Sequence, residues 1–243
     1  FTSSSLWLDG LSWLSANALL PDGSVTAPSL GSSSDYILCG DISSDTTLYK
    51  GYSYYMTCQT FVKSGATLTI QAGTTIQSYK MDASGVATAL VVEQGGMIMA
   101  EGTSSLPITM TSVLPASVLP MRGTWGGLVL LGNAPVYGGT DTVEGLTGKT
   151  YGGSTSDDNS GSLKYVRVWY GGADINPDPS NPENSGNELN GITLAGVGSG
   201  TTLENCEVAW NKDDGFEFFG GTVSGKYLSS IYCQDDAFDA DQG

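Results

Sequence analysis

The sequence predicts an all-β fold, a right-handed parallel β-helix of about 22 residues per turn behind a short N-terminal cap. Three observations predict it. Asp213-Asp214-Gly215-Phe216-Glu217-Phe218 returns twenty-two positions later as Asp235-Asp236-Ala237-Phe238-Asp239-Ala240. Leu68–Ile76 overlays Leu90–Ile98 at the same offset, apolar on apolar and Gly73 on Gly95. The 34 glycines, the long Ser/Thr-rich stretches and the low charge suit short strands and tight turns rather than helices. A fixed period near this length marks a solenoid, in which each repeat is one turn stacked on the last.

Residues 1–35 form the predicted cap. Leu6, Trp7, Leu11, Leu14 and Leu19 fall near helical spacing, punctuated by Gly10 and Pro21. A solenoid end leaves apolar, unpaired strands that an amphipathic segment would cover. A membrane-surface helix is the rival reading, and the absence of Lys and Arg from this segment argues against it.

The β-helix is predicted over 36–243. Tyr36–Val62 gives irregular first turns, Ser64–Ile76 and Ala89–Met99 two clean rungs, and Ile108–Ser112 opens a third. Val113–Thr124 loops outward; Gly126–Val136 returns to the pattern, with Leu128 and Leu130 in the places of Leu90 and Val92. Gly138–Gly161 reads as an excursion of loops. Leu163–Tyr170 matches Leu203–Trp210 at forty residues, and removing the Pro/Asn-rich loop around Ile175–Glu188 restores the shorter offset. Insertions of this kind sit on one face of a solenoid and often form its binding surface. Each turn accommodates three short strands, pairing in parallel with the next turn ~4.8 Å away. Ile, Val, Leu, Met and Phe point inward, and Thr, Ser, Gln and Glu outward. The right hand follows from the twist that governs parallel crossovers.

Composition limits the function. Nine Lys plus Arg against 25 Asp plus Glu give a net charge of -16, which excludes nucleic acid as a partner because phosphate binding needs a basic surface. The same acidity fits a solvated outer surface or cation binding. Histidine is absent, which removes the commonest general base, the usual zinc ligand and every Ser-His or Cys-His arrangement. Cys39, Cys58, Cys206 and Cys233 contain no CxxC pair, arguing against zinc. Their even number allows three disulfide connectivities, of which Cys39–Cys58 with Cys206–Cys233 joins near neighbours; four buried free thiols is the alternative. No Asn-x-Ser/Thr sequon occurs. No apolar run approaches the ~20 residues of a membrane-spanning helix, so no transmembrane segment is predicted. Phe1 in place of an initiator Met, and an end just past a repeat phrase, predict a piece of a longer chain.

Several phrases carry a resemblance. They are Gly65-Ala66-Thr67-Leu68-Thr69-Ile70, Gly123-Thr124-Trp125-Gly126-Gly127-Leu128, Lys164-Tyr165-Val166-Arg167-Val168 and Asn187-Glu188-Leu189-Asn190-Gly191-Ile192. To these are added Gly196-Val197-Gly198-Ser199-Gly200-Thr201 and the specific run Asp213–Val223. From about Tyr36 to Gly243 the chain resembles a group of large secreted and cell-surface microbial proteins with a pectin-lyase-like right-handed β-helix. The resemblance implies an exported protein and brings no established reaction.

The acidic rungs are the leading candidate site. Asp213, Asp214 and Glu217 come from one rung, and Asp235, Asp236, Asp239 and Asp241 from the next. Stacking places like carboxylates ~5 Å apart, where they repel unless protonated or bridged by a cation. Calcium, with six to eight oxygen ligands, is the cofactor candidate; solvated turns or Asp side chains capping backbone amides are the plainer alternative. Resemblance to the wider pectin-lyase-like enzymes implies a lyase in which Asp213, Asp214, Asp235 and Asp236 hold the metal and Lys212 or Lys226 is the base. A glycoside hydrolase of that fold would pair Asp213 or Asp214 with Asp235 or Asp236, at the ~6.5–9.5 Å of an inverting mechanism. The missing histidine and Arg-x-Lys run argue against hydrolysis. Gly196–Gly200 lacks the Lys of a phosphate loop and reads as a turn between rungs. Trp125, Trp169, Tyr170, Trp210, Phe216, Phe218 and Phe219 offer a sugar-binding surface or, more simply, core and corner residues.

These observations predict a non-catalytic extracellular structural or adhesive protein, a rigid element of a surface layer, matrix or filament. Its expected partners are copies of itself, other extracellular matrix or filament proteins, and polysaccharide. The alternative is a carbohydrate-active enzyme or carbohydrate-binding module that uses the acidic rung face.

Overall fold

The period-2 alternation of the sequence becomes three stacked parallel faces. The computed structural model describes residues 35–143, 146, 148–175 and 188–243, and no helix occurs among them. The first face stacks Thr46–Leu48, Thr67–Ile70, Met97–Glu101, Gly161–Lys164, Thr202–Glu204 and Gly225–Lys226. The second stacks Thr75–Ser78, Ile108–Ser112, Val166–Trp169, Glu207–Ala209 and Ser229–Ile231. The third stacks Leu90–Val92, Leu128–Leu131, Ile192–Ala195, Phe216–Phe219 and Phe238–Asp241. Two longer strands, Asp35–Ile42 and Ser53–Val62, run round the corner from the second face to the third. Ser53–Val62 pairs with Thr75–Ser78 through its first half and with Leu90–Val92 through its second.

The core lies between the faces. On the third face Thr60, Leu90, Leu128, Ile192, Phe216 and Phe238 stand one above another, with Val62, Val92, Leu130, Leu194 and Phe218 beside them. Leu90, Leu128, Ile192 and Phe216 are fully buried. At roughly 1.5–3 kcal/mol for each buried large apolar side chain, such columns carry the stability of the stack. The rings of Phe216 and Phe238 lie parallel, 5.3 Å apart, close to the spacing of paired strands.

Late in the chain two corners shrink to single residues in left-handed conformation. Tyr165 and Asn205 (φ 48° and 55°) turn the chain from first face to second, and Tyr170, Trp210 and Tyr232 (67°, 57°, 56°) turn it from second to third. Side chains pay about 1–2 kcal/mol for this conformation, and only the tight corner requires it.

Turn length varies more than the repeat phrase implies. Paired residues stand twenty-two apart at Thr46–Leu68, Tyr54–Ile76, Leu203–Gly225, Val208–Ser230 and Phe216–Phe238. They stand forty apart at Leu163–Leu203 and thirty apart at Leu68–Ile98. The expected overlay of Leu68 on Leu90 is therefore incorrect: Leu68 belongs to the first face and Leu90 to the third, where it lies between Thr60 and Leu128. The pairing of Leu128 and Leu130 with Leu90 and Val92 is as the sequence indicates.

Cys39 and Cys58 form a disulfide with 4.9 Å between Cα atoms, across the register shift where Asp35–Ile42 meets Ser53–Val62. Closing a loop of this size contributes about 3 kcal/mol. The second expected bridge does not form: Cys206 and Cys233 are free thiols. The register that sets Glu207 against Ser229 puts Leu228, not Cys233, beside Cys206, while Cys233 lies next to Gln234, whose amide bonds to Asn211. Cys206 points into the core, and burial pushes its thiol up to about 12. The predicted cap lies outside the described residues, except for Asp35, as does most of the loop around Ile175–Glu188.

Candidate functional site

The outer side of the third face is where the acidic rungs emerge. Because side chains alternate across a strand, the neighbours of the inward Ile192, Phe216 and Phe238 point outward: Thr193, Glu217 and Asp239 stand in register on three consecutive turns. Asn190 and Asp214 hold the matching corner position one turn apart, each followed by a glycine. A Cβ on Gly191 would lie 2.8 Å from the Gly215 carbonyl oxygen, and one on Gly215 would lie 2.7 Å from that of Ala237. The close approach of successive corners thus requires these glycines, and it brings the preceding polar side chains together.

A cleft of about 480 Å³ opens over this surface. Its floor is Asn190, Asp213, Glu217, Phe219 and Asp241, and Glu188 stands at the edge. Its wall comes from the 138–161 excursion, where Asp141–Thr142 pairs antiparallel with Thr150–Tyr151. Gln242 ties wall to floor: it accepts a hydrogen bond from the Tyr151 hydroxyl at 3.1 Å and donates one to Asp141 at 2.9 Å. Beneath the wall, Val143, Leu146 and Tyr151 pack with the outward Val91, Val129 and Ala195 in a second apolar cluster, and Phe219 borders it. On the far side of the excursion Lys149 and Lys63 both bind Glu93, at 2.5 and 2.7 Å, clamping the loop to the solenoid.

Burial and mutual repulsion dominate the electrostatics of the cleft. Glu217 is pushed up to about 8, first by burial and then by the charges of Asp214 and Asp213. Asp213 is pushed up to about 6 by burial and by Asp214, and burial raises Asp214 as well. Asp141, by contrast, is lowered by its hydrogen bonds from Gln242 and Thr142. Two groups of carboxylates have oxygens within 4.8 Å of one another: Asp213, Asp214 and Asp235, and Asp214, Glu217 and Asp239. Asn190 donates to Glu217 through its amide, and Asp214 accepts the backbone N–H of Asp236 at 2.8 Å.

Most of the acidic residues expected from the repeat therefore converge, and three expected residues take other places. Asp236 enters through its backbone amide, since its carboxylate is exposed at the corner. Lys212 sits beside Asp213 with its ammonium held by Glu188 at 2.8 Å. Lys226 belongs to the first face, 3.9 Å from Glu204, so it is no base for this cleft. Of the aromatic candidates only Phe219 lines the cleft. Trp125 and Phe216 are core; Trp169, Tyr170 and Trp210 pack on the second face around Ala209. Sequence reading missed Asp141, Thr142, Tyr151, Asn190 and Gln242. For Asn190 a signal existed, since Asn190-Gly191-Ile192 occupies the place of Asp214-Gly215-Phe216.

Neither curated proteins nor solved structures gave a match to this sequence. A family model does match, over residues 40–243, and it spans all three faces and the cleft. The chain belongs to the family described as the pectate-lyase-like β-helix domain.

Proposed function

We propose that this chain is a non-catalytic, extracellular adhesive β-helix that holds a segment of neutral polysaccharide in the third-face cleft. The cleft itself carries the reading. Its volume of about 480 Å³ falls in the range of ligand sites, and it sets the half-buried Phe219 ring beside carboxylates and two amides. Sugar rings present an apolar face that stacks on such a ring and hydroxyls that donate to carboxylates. An acidic polymer would meet Asp213, Asp141 and Asp241 with like charge, which favours a neutral one. The rigid parallel stack supports a structural role in a surface layer, matrix or filament, with copies of itself or other matrix proteins as partners. The Cys39–Cys58 disulfide supports an oxidising, extracellular location.

Titration calorimetry of the purified chain against a panel of neutral oligosaccharides tests this reading. Binding is expected, weakened about tenfold or more by Asp241→Asn, which turns one accepting carboxylate oxygen into a donor, and by Gln242→Ala, which removes the amide, each at a cost of about 1.5 kcal/mol. Absence of binding across the panel, or binding indifferent to both variants, would overturn it. A second reading, glycoside hydrolysis, is favoured by one observation: Glu217 keeps its proton up to about 8, as a general acid does. Release of reducing ends by the wild-type chain and its loss in Glu217→Gln would establish that reading instead.

A further inference from the structure

We propose that the first face is a two-fold docking surface for a second copy of this chain, read by a ladder of alternating charge: Glu101, Lys164, Glu204 and Lys226. The inference requires neither the cleft to hold a polysaccharide nor the chain to be part of a matrix.

The ladder follows from strand alternation and register. Ala100, Leu163 and Leu203 point into the core, so the residue after each points outward. Glu101 pairs in register with Lys164, Lys164 with Glu204, and Glu204 with Lys226. Four consecutive turns therefore present negative, positive, negative and positive charge in one outer column, at ~4.8 Å steps. Lys164 lies 2.9 Å from Glu101 and Lys226 3.9 Å from Glu204, and the four side chains are between 37% and 67% exposed.

The rest of the face suits close approach of a like surface. Among the described residues no excursion packs apolar side chains on it, whereas Val143, Leu146 and Tyr151 cover the third face and Leu119 the second. Met97 and Met99 flank the inward Ile98, so they point outward; both are half-buried and belong to none of the apolar clusters. Their neighbours across the sheet are Thr67, Thr69 and Ser162, short side chains that leave the surface flat. Flexible methionine suits a surface that repacks on contact. The net charge of -16 makes two copies repel on most approaches. Strands of the third face carry Glu217, Asp239 and Asp241, all acidic, while those of the first carry two Glu against two Lys and no net charge. Copies that repel elsewhere can meet here.

Alternation fixes how the copies meet. Turning one copy over about a two-fold axis that runs along the strands reverses its ladder, so Glu101 faces Lys226 of the partner copy and Lys164 faces its Glu204. Every position is then opposite in sign. Copies running the same way side by side put Glu on Glu and Lys on Lys, and slipping the reversed copy by one turn does the same. The reversed arrangement is isologous and closes at two. Exposed ion pairs contribute little each, so the ladder sets orientation and register more than strength. Strength comes from the flat strip around the methionines. Four turns at ~4.8 Å make a strip about 19 Å long, short of a standard interface, so the dimer is a weak one.

Sedimentation of the purified chain from micromolar to millimolar concentration, with carbodiimide cross-linking of the concentrated sample, tests the surface. A monomer–dimer equilibrium is expected, with a dissociation constant of ~10⁻⁵–10⁻³ M. Mass spectrometry of the cross-linked dimer should find an amide between Glu101 and Lys226. Those residues are three turns, about 14 Å, apart within one chain, so a zero-length link between them joins two copies. Lys226→Glu sets like charges at two of the four positions and should raise the dissociation constant about tenfold or more. Adding Glu101→Lys restores opposite signs throughout the reversed ladder, and the double variant should dimerise like the wild type. Unfolding at micromolar concentration, where the chain is monomeric, checks that each variant folds, and the wild-type cross-link remains the test if one does not. A chain that stays monomeric at millimolar concentration overturns the proposal. So does a dimer indifferent to Lys226→Glu, a folded double variant that stays monomeric, or a cross-linked dimer joined only outside the ladder.

Discussion

Two columns of side chains on the third face share the same strands and differ in everything else. The inner column runs Thr60, Leu90, Leu128, Ile192, Phe216, Phe238; the outer column, one residue along, runs Phe61, Val91, Val129, Thr193, Glu217, Asp239. From Leu90 onward the inner column stays apolar, because it always faces the other two faces of the solenoid. The outer column begins apolar where Val143, Leu146 and Tyr151 of the excursion cover it, and turns polar and then acidic where the cover opens into the cleft. Strand geometry and pairing are common to both columns, so the difference comes from what lies over each. In a solenoid the inner column reports packing. The outer column reports the surroundings, and the step from the buried Thr193 to the half-buried Glu217 marks where the molecule stops covering itself.

The largest effect should come from breaking the inner column. Phe216→Ala removes a fully buried ring stacked on Phe238 and should cost about 3–5 kcal/mol, read as a lower denaturation midpoint. An effect below about 1 kcal/mol would mean that the inner column does not carry the stack.

The outer column should instead respond to pH. In chelator, Glu217 holds its proton in the folded chain up to about 8 but only to about 4.5 when unfolded, and Asp213 behaves alike up to about 6. Between those values the folded state binds more protons than the unfolded state, so stability falls as pH rises from about 4.5 towards 8. The unfolding midpoint should decline over that window, and Glu217→Gln should flatten the decline. A wild-type midpoint that is level across the window would show that Glu217 is already ionised and compensated without added metal.

A smaller gain should follow from Thr193→Val in chelator. Replacing an unpartnered buried hydroxyl by a methyl group removes a desolvated polar atom at constant shape, and should raise stability by about 1 kcal/mol. Destabilisation in chelator would instead mean that the hydroxyl has a partner in solution.

How much of this could be read from the sequence follows from the same contrast. Phe216 over Phe238, Leu128 over Leu90 and Leu163 over Leu203 were legible because inner positions repeat apolar residues at fixed offsets. The overlay of Leu68 on Leu90 failed for the same reason. Every strand–glycine–strand unit carries one alternation, so a first-face strand imitates a third-face strand, and the added turn at 79–88 hides the slip. The acidic residues showed themselves by repeating. Asp141, Tyr151 and Gln242 did not, since the contact between Gln242 and Asp141 spans 101 residues and has no period. Thr193 and Asn190 look like ordinary polar rung residues until their orphan oxygens are placed beside Glu217.

Lys226→Gln should give the smallest effect and the sharpest check on which side of the solenoid the chemistry lies. Its ammonium is 3.9 Å from Glu204 on the first face, with the side chain two-thirds exposed. Exposed pairs of this kind contribute about 0–1 kcal/mol, and solvent and salt screen them further. Lys212→Gln, at the edge of the cleft, removes the partner of Glu188 and adds uncompensated negative charge beside Asp213, so it should lower the unfolding midpoint measurably. Lys226→Gln should leave the unfolding midpoint at its wild-type value. If the two lysine variants lowered the midpoint equally, the effect would be one of net charge alone, and the crowded carboxylates of the third-face cleft would not set it apart from the first face.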